Sequence, residues 1–247
     1  MLSKLLEPVK ALKNRWTTEK SVQDAGSGGP DDQDGETIKF VQPYTMTSPA
    51  RIRALCSATR YVVDADIPGA IVECGVWRGG MCAALAGLLG PERAYYLLDS
   101  FEGLPLADAA KDGDRALAWQ GDVASPSYHD NCRAEMAWAD QAMARTGAPR
   151  YTLVKGWFAD TLPRFDPGPI ALLRLDADWY ESTLECLTAL YPRVARDGLI
   201  LIDDYDTWDG CTRAVHDYLS RHSLAERIRQ MPSGTTYIAK SGDAGPV

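Results

Sequence analysis

Apolar positions gather in five short, nearly continuous runs: AIVECGVW (70–77), AYYLLDSF (94–101), RYTLVKGWF (150–158), IALLRLDAD (170–178) and LILIDDY (199–205). Runs of this length without polar alternation fit strands buried on both faces. Helical spacing recurs between them, in GGMCAALAGLLG (79–90), in a stretch within 127–147, and in ESTLECLTALYPRVARDG (181–198), where Gly198 reads as a helix stop and Asp197 as a turn residue. A further helix follows Asp209 in CTRAVHDYLSRH, and RIRQMPSGTTYIAK reads as a hairpin turning near Pro232, Ser233 and Gly234. The alternation predicts an α/β fold: a doubly wound, mostly parallel sheet with a C-terminal antiparallel hairpin. The connection from Asp99 to Tyr151 exceeds a plain crossover and predicts an insertion over about 102–150 that shapes a substrate pocket.

Ahead of this domain, placed at 37–247, two segments read differently. Residues 1–20 carry Leu2, Leu5, Leu6, Val9, Leu12 and Trp16 at helical spacing, and predict an amphipathic helix packed on the main domain or on a second subunit. On that ground a homo-oligomer is expected. Residues 21–36 (SVQDAGSGGPDDQDGE) read as a polar, Gly-rich, flexible linker. The net charge of -8 gives no basic footprint for nucleic acid. No apolar stretch is long enough to span a bilayer. The six cysteines show no C-x-x-C pair and fit a reduced, cytoplasmic setting.

The chemistry lies where strands end. In VECGVWRGG (72–80), Glu73, Gly75, Gly79 and Gly80 sit at a strand-to-helix turn, a place where backbone approaches a ligand closely. The spacing is not the dinucleotide G-x-G-x-x-G. A carboxylate there repels a pyrophosphate but suits an ammonium, which points to S-adenosylmethionine. Asp99, beside Ser100, ends the second strand where an acid accepts ribose hydroxyls; the alternative is a helix cap. In KGWF (155–158), Gly156 permits close approach and Trp157 or Phe158 can cover an adenine. Asp176 and Asp178 end the fourth strand, Asp203 and Asp204 the fifth. Neighbouring parallel strands bring their carboxyl ends together, so these acids converge and would repel one another without a cation. An all-oxygen donor set suits Mg²⁺. A spare carboxylate can then act as general base, with His129 in the insertion as an alternative base.

Together VECGVWRGG, LLDSFEGLP, KGWFADTLP, LRLDADWYEST and LIDDYDTWDGCTRAVHDY resemble the macrocin O-methyltransferase family, over roughly residues 40 to 240 and in the family's motif order. These are bacterial, metal-dependent enzymes that use S-adenosylmethionine to methylate sugar hydroxyls on macrolides, aminocoumarins and related glycosides. The resemblance implies a class I methyltransferase fold, with S-adenosyl-L-methionine and Mg²⁺ as cofactors and a glycoside or oligosaccharide as acceptor. It implies that Glu73 and Gly75 hold the methionine end and Asp99 the ribose. It gives Asp176, Asp203 and Asp204 as metal ligands and Asp178 as the general base. It places YTMTS (44–48) over the cofactor, with Thr45, Met46 and Thr47 in contact. Two rival readings differ in acceptor or class: a catechol-type O-methyltransferase, and a nicotinamide-dependent oxidoreductase, against which the missing dinucleotide motif argues.

Overall fold

The structure, a computed structural model, describes residues 32–242. The helix expected over 1–20 and the linker as far as residue 31 lie outside the described residues. The last five linker positions are helical, because they open α1 (Asp32–Val41), where buried Asp34 takes a two-pronged ion pair from Arg60. Helix α2 (Pro49–Asp64) follows. Its start is built from Ser48, whose Oγ accepts the Arg51 amide, and Pro49 in the first turn.

A seven-stranded sheet forms the centre. Its strands are β1 (Ala70–Cys74), β2 (Tyr95–Asp99), β3 (Tyr151–Lys155), β4 (Ile170–Leu175), β5 (Val194–Ile202), β6 (Arg229–Gln230) and β7 (Thr236–Ala239). They lie in the order β3-β2-β1-β4-β5-β7-β6, parallel except for β7, which is antiparallel to β5 and β6. The chain winds outward from β1 to β3 and then returns to β4, so the winding reverses between β1 and β4. Ligands bind at such a switch point, beyond the carboxyl ends of the strands. Helices α3 (Gly80–Leu89), α4 (Gly113–Gly121), α5 (Met136–Ala144), the single turn α6 (Phe158–Thr161), α7 (Tyr180–Leu190) and α8 (Asp209–Arg221) complete the domain.

Strand alternation divides the core into two layers. Ile71, Leu97, Leu172, Leu199 and Leu201 meet α1, α2, α3 and α5 on one face. Val72, Leu98, Leu173, Ile200 and Ile202 meet α7 and α8 on the other.

Three expectations are corrected. All five strands stop earlier than their apolar runs, and β1 stops because Gly75 turns into the left-handed region at φ +82°. The helix expected over 181–198 ends at Leu190, before a 3-10 turn with Pro192 in its first positions, and β5 starts at Val194. Asp197, at φ +62°, and Gly198 lie in an irregular stretch of that strand rather than at a helix end. Within 127–147 only Met136–Ala144 is helical. His129, Asp130, Asn131 and Cys132 instead form a run of left-handed residues, held where the Leu104 amide donates to the Asn131 carbonyl and the Asn131 side-chain amide donates back to the Leu104 carbonyl.

The insertion is bound tightly to the strand ends. Buried Asp112 accepts the Tyr180 amide at 2.7 Å and the Asp108 amide at 2.8 Å, and the Trp179 indole donates to the Pro105 carbonyl at 2.9 Å.

Gly75 is where β1 touches β4: a Cβ there would fall 1.7 Å from the Asp176 carbonyl oxygen. Gly75→Ala is therefore expected to cost about 3 kcal/mol or more, since neither backbone can yield and the φ is unfavourable as well. A urea unfolding midpoint indistinguishable from that of the parent protein would contradict this.

Candidate active site

Glu73 on β1 and Arg174 on β4 are direct partners in the parallel ladder. The Arg174 guanidinium, 2 % exposed, donates to Glu73 Oε1 at 2.6 Å and to Asp176 Oδ2 at 2.8 Å, and its second terminal nitrogen lies 3.1 Å from Asp203 Oδ1. Arg51, from the first turn of α2, donates to Asp203 Oδ2 at 3.0 Å. Both oxygens of Asp203 thus face arginines. This follows from strand geometry: Glu73, Arg174 and Asp203 continue the alternation that puts Ile71, Leu172 and Leu201 on one face of the sheet. One oxygen of Glu73 is accordingly taken by Arg174. Its second oxygen is buried and faces the Cys82 amide without a hydrogen bond of good geometry. Burial lifts its pKa to about 7, against the pull of Arg174.

Asp204, one residue on, points to the opposite face. There its carboxylate meets those of Asp176 and Asp178, with ligand oxygens all within 4.8 Å of one another. Asp178 joins them because β4 has ended: its φ of +55° breaks the strand alternation. Its amide donates to Asp204 Oδ2 at 3.2 Å, and its Oδ1 accepts the Trp208 indole N–H at 3.0 Å. Burial, reinforced by the neighbouring carboxylates, pushes the carboxyls of Asp178 and Asp204 well above the usual carboxylate range, and Asp176 upward as well. The converging triad is therefore Asp176, Asp178 and Asp204, while Asp203, expected as a ligand with Asp176 and Asp204, lines the same cavity with its oxygens turned to the arginines. Adjacent strand residues face opposite ways, and that was the available signal.

These acids sit on the wall of a cavity of about 610 Å³, which Met46, Thr47, Gly75, Asp99, Ser100, Gly156, Trp157 and Asp203 also line. Asp99 Oδ2 accepts the Val76 and Trp77 amides, at 2.7 and 2.9 Å, and Oδ1 accepts the Phe101 amide at 2.7 Å. One lone pair, on Oδ1, remains for a ligand. Ser100 bonds within its own turn, to the Gly103 carbonyl and the Glu102 amide. Three expected residues are off the wall. Glu73 lies behind it; Thr45 accepts the Thr47 amide and packs at Gly80; His129 is exposed on the left-handed run of the insertion. Sequence reasoning missed several wall residues: Arg51 and Trp77, then Leu104, Pro105 and Cys132 from the insertion, then Glu181, Ser182 and Glu185 from α7.

A sheet of this order, with its cavity and acids at the switch point, defines the class I S-adenosylmethionine methyltransferase fold. The solved O-methyltransferase NovP superposes with a TM-score of 0.67 at 29% identity, over 81% of this chain and 83% of that one. A calicheamicin methyltransferase, CalS11, shares the fold at a TM-score of 0.59 and 20% identity, over 88% and 96% of the two chains. The chain belongs to the macrocin-O-methyltransferase (TylF) family, whose family model matches residues 13–240. It is an S-adenosylmethionine-dependent O-methyltransferase. Among its relatives are a tetracenomycin-C rhamnosyl 4'-O-methyltransferase of Streptomyces olivaceus, 33% identical over 90% of this chain and 86% of the relative, and the demethyldecarbamoylnovobiocin O-methyltransferase of Streptomyces niveus, 32% identical over 75% and 71%. The mycinamicin III 3''-O-methyltransferase of Micromonospora griseorubida is 29% identical over 80% and 79%.

Two predictions follow from the charge arrangement. Arg174→Met leaves Glu73, Asp176 and Asp203 without their shared cation, and is expected to destabilise the protein by about 3–5 kcal/mol in urea unfolding; a loss below about 1 kcal/mol would contradict it. The second concerns pH. The folded state holds the Glu73 proton up to about 7, against an ordinary value of 4.5. The stability this group contributes is therefore complete below pH 4.5 and lost as pH rises through 7. Glu73→Gln should make the fall in stability of the metal-free protein between these pH values less steep, as read from urea midpoints.

Proposed function

We propose that this enzyme transfers the methyl group of S-adenosylmethionine to a hydroxyl of a sugar carried on a glycoside, with Mg²⁺ as its metal. The observation that carries the reading is the triad Asp176, Asp178 and Asp204, whose oxygens lie within 4.8 Å of one another on the wall that also bears Asp99. Three buried-edge carboxylates with elevated pKa values are a donor set for a hard cation, because they gain a shared positive charge that no described side chain supplies on that face. The relatives named for rhamnosyl and mycinamicin O-methylation support a sugar acceptor.

In this reading Asp176 and Asp204 hold the cation. Asp203 stays with Arg51 and Arg174 and keeps the 45–51 segment against the end of β5. The remaining lone pair of Asp99 accepts a ribose hydroxyl. Met46 and Thr47 close one side of the cofactor, and Trp157, 39 % exposed on the wall, covers the adenine. When bound, S-adenosylmethionine supplies an electrophilic methyl on a sulfonium, and Mg²⁺ a charge that makes a neighbouring hydroxyl more acidic. Asp178 Oδ2, the oxygen that no described protein donor occupies, would receive the proton of the acceptor hydroxyl.

Asp178→Asn is expected to bind S-adenosylmethionine within about threefold of the parent in isothermal titration, while kcat falls by about 10²–10⁴. Turnover by the parent enzyme should vanish in EDTA and return with Mg²⁺. The readout is methylation of a glycoside panel with catechol alongside. Exclusive methylation of the catechol, or full rate in EDTA, would overturn the proposal.

A further inference from the structure

Asp178 is held from a side that has no part in binding metal or cofactor. Its Oδ1 accepts the indole N–H of Trp208 at 3.0 Å, and Trp208 is 8 % exposed at the start of α8. The same residue is tied to the second acid through the backbone, since the Trp208 amide donates to the Asp204 carbonyl at 2.9 Å. One side chain and its own amide thus span both Asp178 and Asp204. The indole is itself fixed by two others. It packs edge to face on Trp179, with centroids 5.2 Å apart, and on Trp119 at 5.7 Å, while Trp119 and Trp179 pack on each other at 6.1 Å. Trp119 belongs to α4 in the insertion, and the Arg115 guanidinium of the same helix lies 5.5 Å from the centre of the Trp208 ring.

We infer that Trp208 is a positioning residue that aims the Asp178 carboxylate, and that the insertion acts on the base through the contact between Trp119 and Trp208. The inference rests on the reading of Asp178 as general base. A carboxylate three residues beyond the end of its strand can turn about its Cβ–Cγ bond. A donor on Oδ1 stops that rotation and leaves Oδ2 as the oxygen that meets the acceptor's hydroxyl. Loss of such alignment at a reacting group lowers turnover without weakening the binding of a ligand that touches other residues. A tryptophan that only fills the core behaves differently: phenylalanine keeps most of the ring packing and would leave turnover intact.

The test is Trp208→Phe in the full-length enzyme with Mg²⁺ present. The expected result is a fall in kcat of about tenfold to a hundredfold, with the S-adenosylmethionine Kd and the acceptor KM within about threefold and the melting temperature nearly unchanged. In an Asp178→Asn background the same change should lower kcat no further. Unchanged kcat in Trp208→Phe, or parallel losses of kcat, cofactor affinity and melting temperature, would overturn the inference. Should that variant give no soluble protein, Trp119→Leu decides: it leaves the Trp208 indole in place but unpacks it, so kcat should fall with cofactor affinity retained, and an unchanged kcat overturns the inference. Asp178→Asn alone separates the two layers. Full rate there removes the reading of the base, whereas collapse there beside an intact Trp208→Phe removes only the role of Trp208.

Discussion

The buried guanidinium of Arg174 is the contact on which the strand ends depend. Five carboxylates, those of Glu73, Asp176, Asp178, Asp203 and Asp204, crowd the ends of three neighbouring strands, against two guanidinium groups, Arg51 and Arg174. Removing so many charges from water is costly unless they are paired. Arg174 pairs with three of them, at distances of 2.6 to 3.1 Å. The arginines are all on one face of the sheet. The acids on the other face therefore remain in excess, and that imbalance makes the site chemically useful. One set of carboxylates holds the framework together, and the other is left with unmet demand for positive charge. Asp176 belongs to both.

The rest of the fold sets the boundaries of this arrangement. Gly75 lets β1 close against the Asp176 carbonyl, which keeps the ladder in contact up to the cavity rim. Asp112 fastens the insertion to the first turn of α7, immediately after the acids. The 45–51 segment, which lines the cavity, is held to Asp203 by Arg51. Each wall of the cavity thus carries a polar contact to the strand ends, so the site is assembled by the parts that enclose it.

Much of this was legible in the sequence, though unevenly. The apolar runs marked the five parallel strands, four of them buried and β3 a half-exposed edge, and the hairpin announced itself through Pro232–Gly234. The acids were visible as well, since carboxylates rarely end apolar strands without a purpose. Their partition was not read, although alternation along LILIDD carries it: Asp203 must leave the face that Asp204 joins. Asp178 escaped that logic because its left-handed backbone cannot be inferred from DADWY. Only its ladder partner Glu73, about a hundred residues earlier, explains the buried Arg174. Helix α2 was not among the elements expected, although Ser48–Pro49 marks its start. The helix expected within 127–147 is confined to Met136–Ala144 for a local reason, as the run through Asp130 and Asn131 takes left-handed turns that delay its start.

The two adjacent aspartates at the end of β5 also act as a check on sheet assembly. If β5 settled against β4 one residue out of step, every apolar side chain on it would change sides, and one aspartate would take the other's place. The mispaired strand would set Asp204 against the arginines and draw Asp203 into the apolar layer that Ile202 now fills, so the error would appear as a carboxylate buried without a cation. The acidic pair therefore penalises the commonest mistake a central strand can make, and correct strand alignment and a competent reaction centre become one and the same folding outcome.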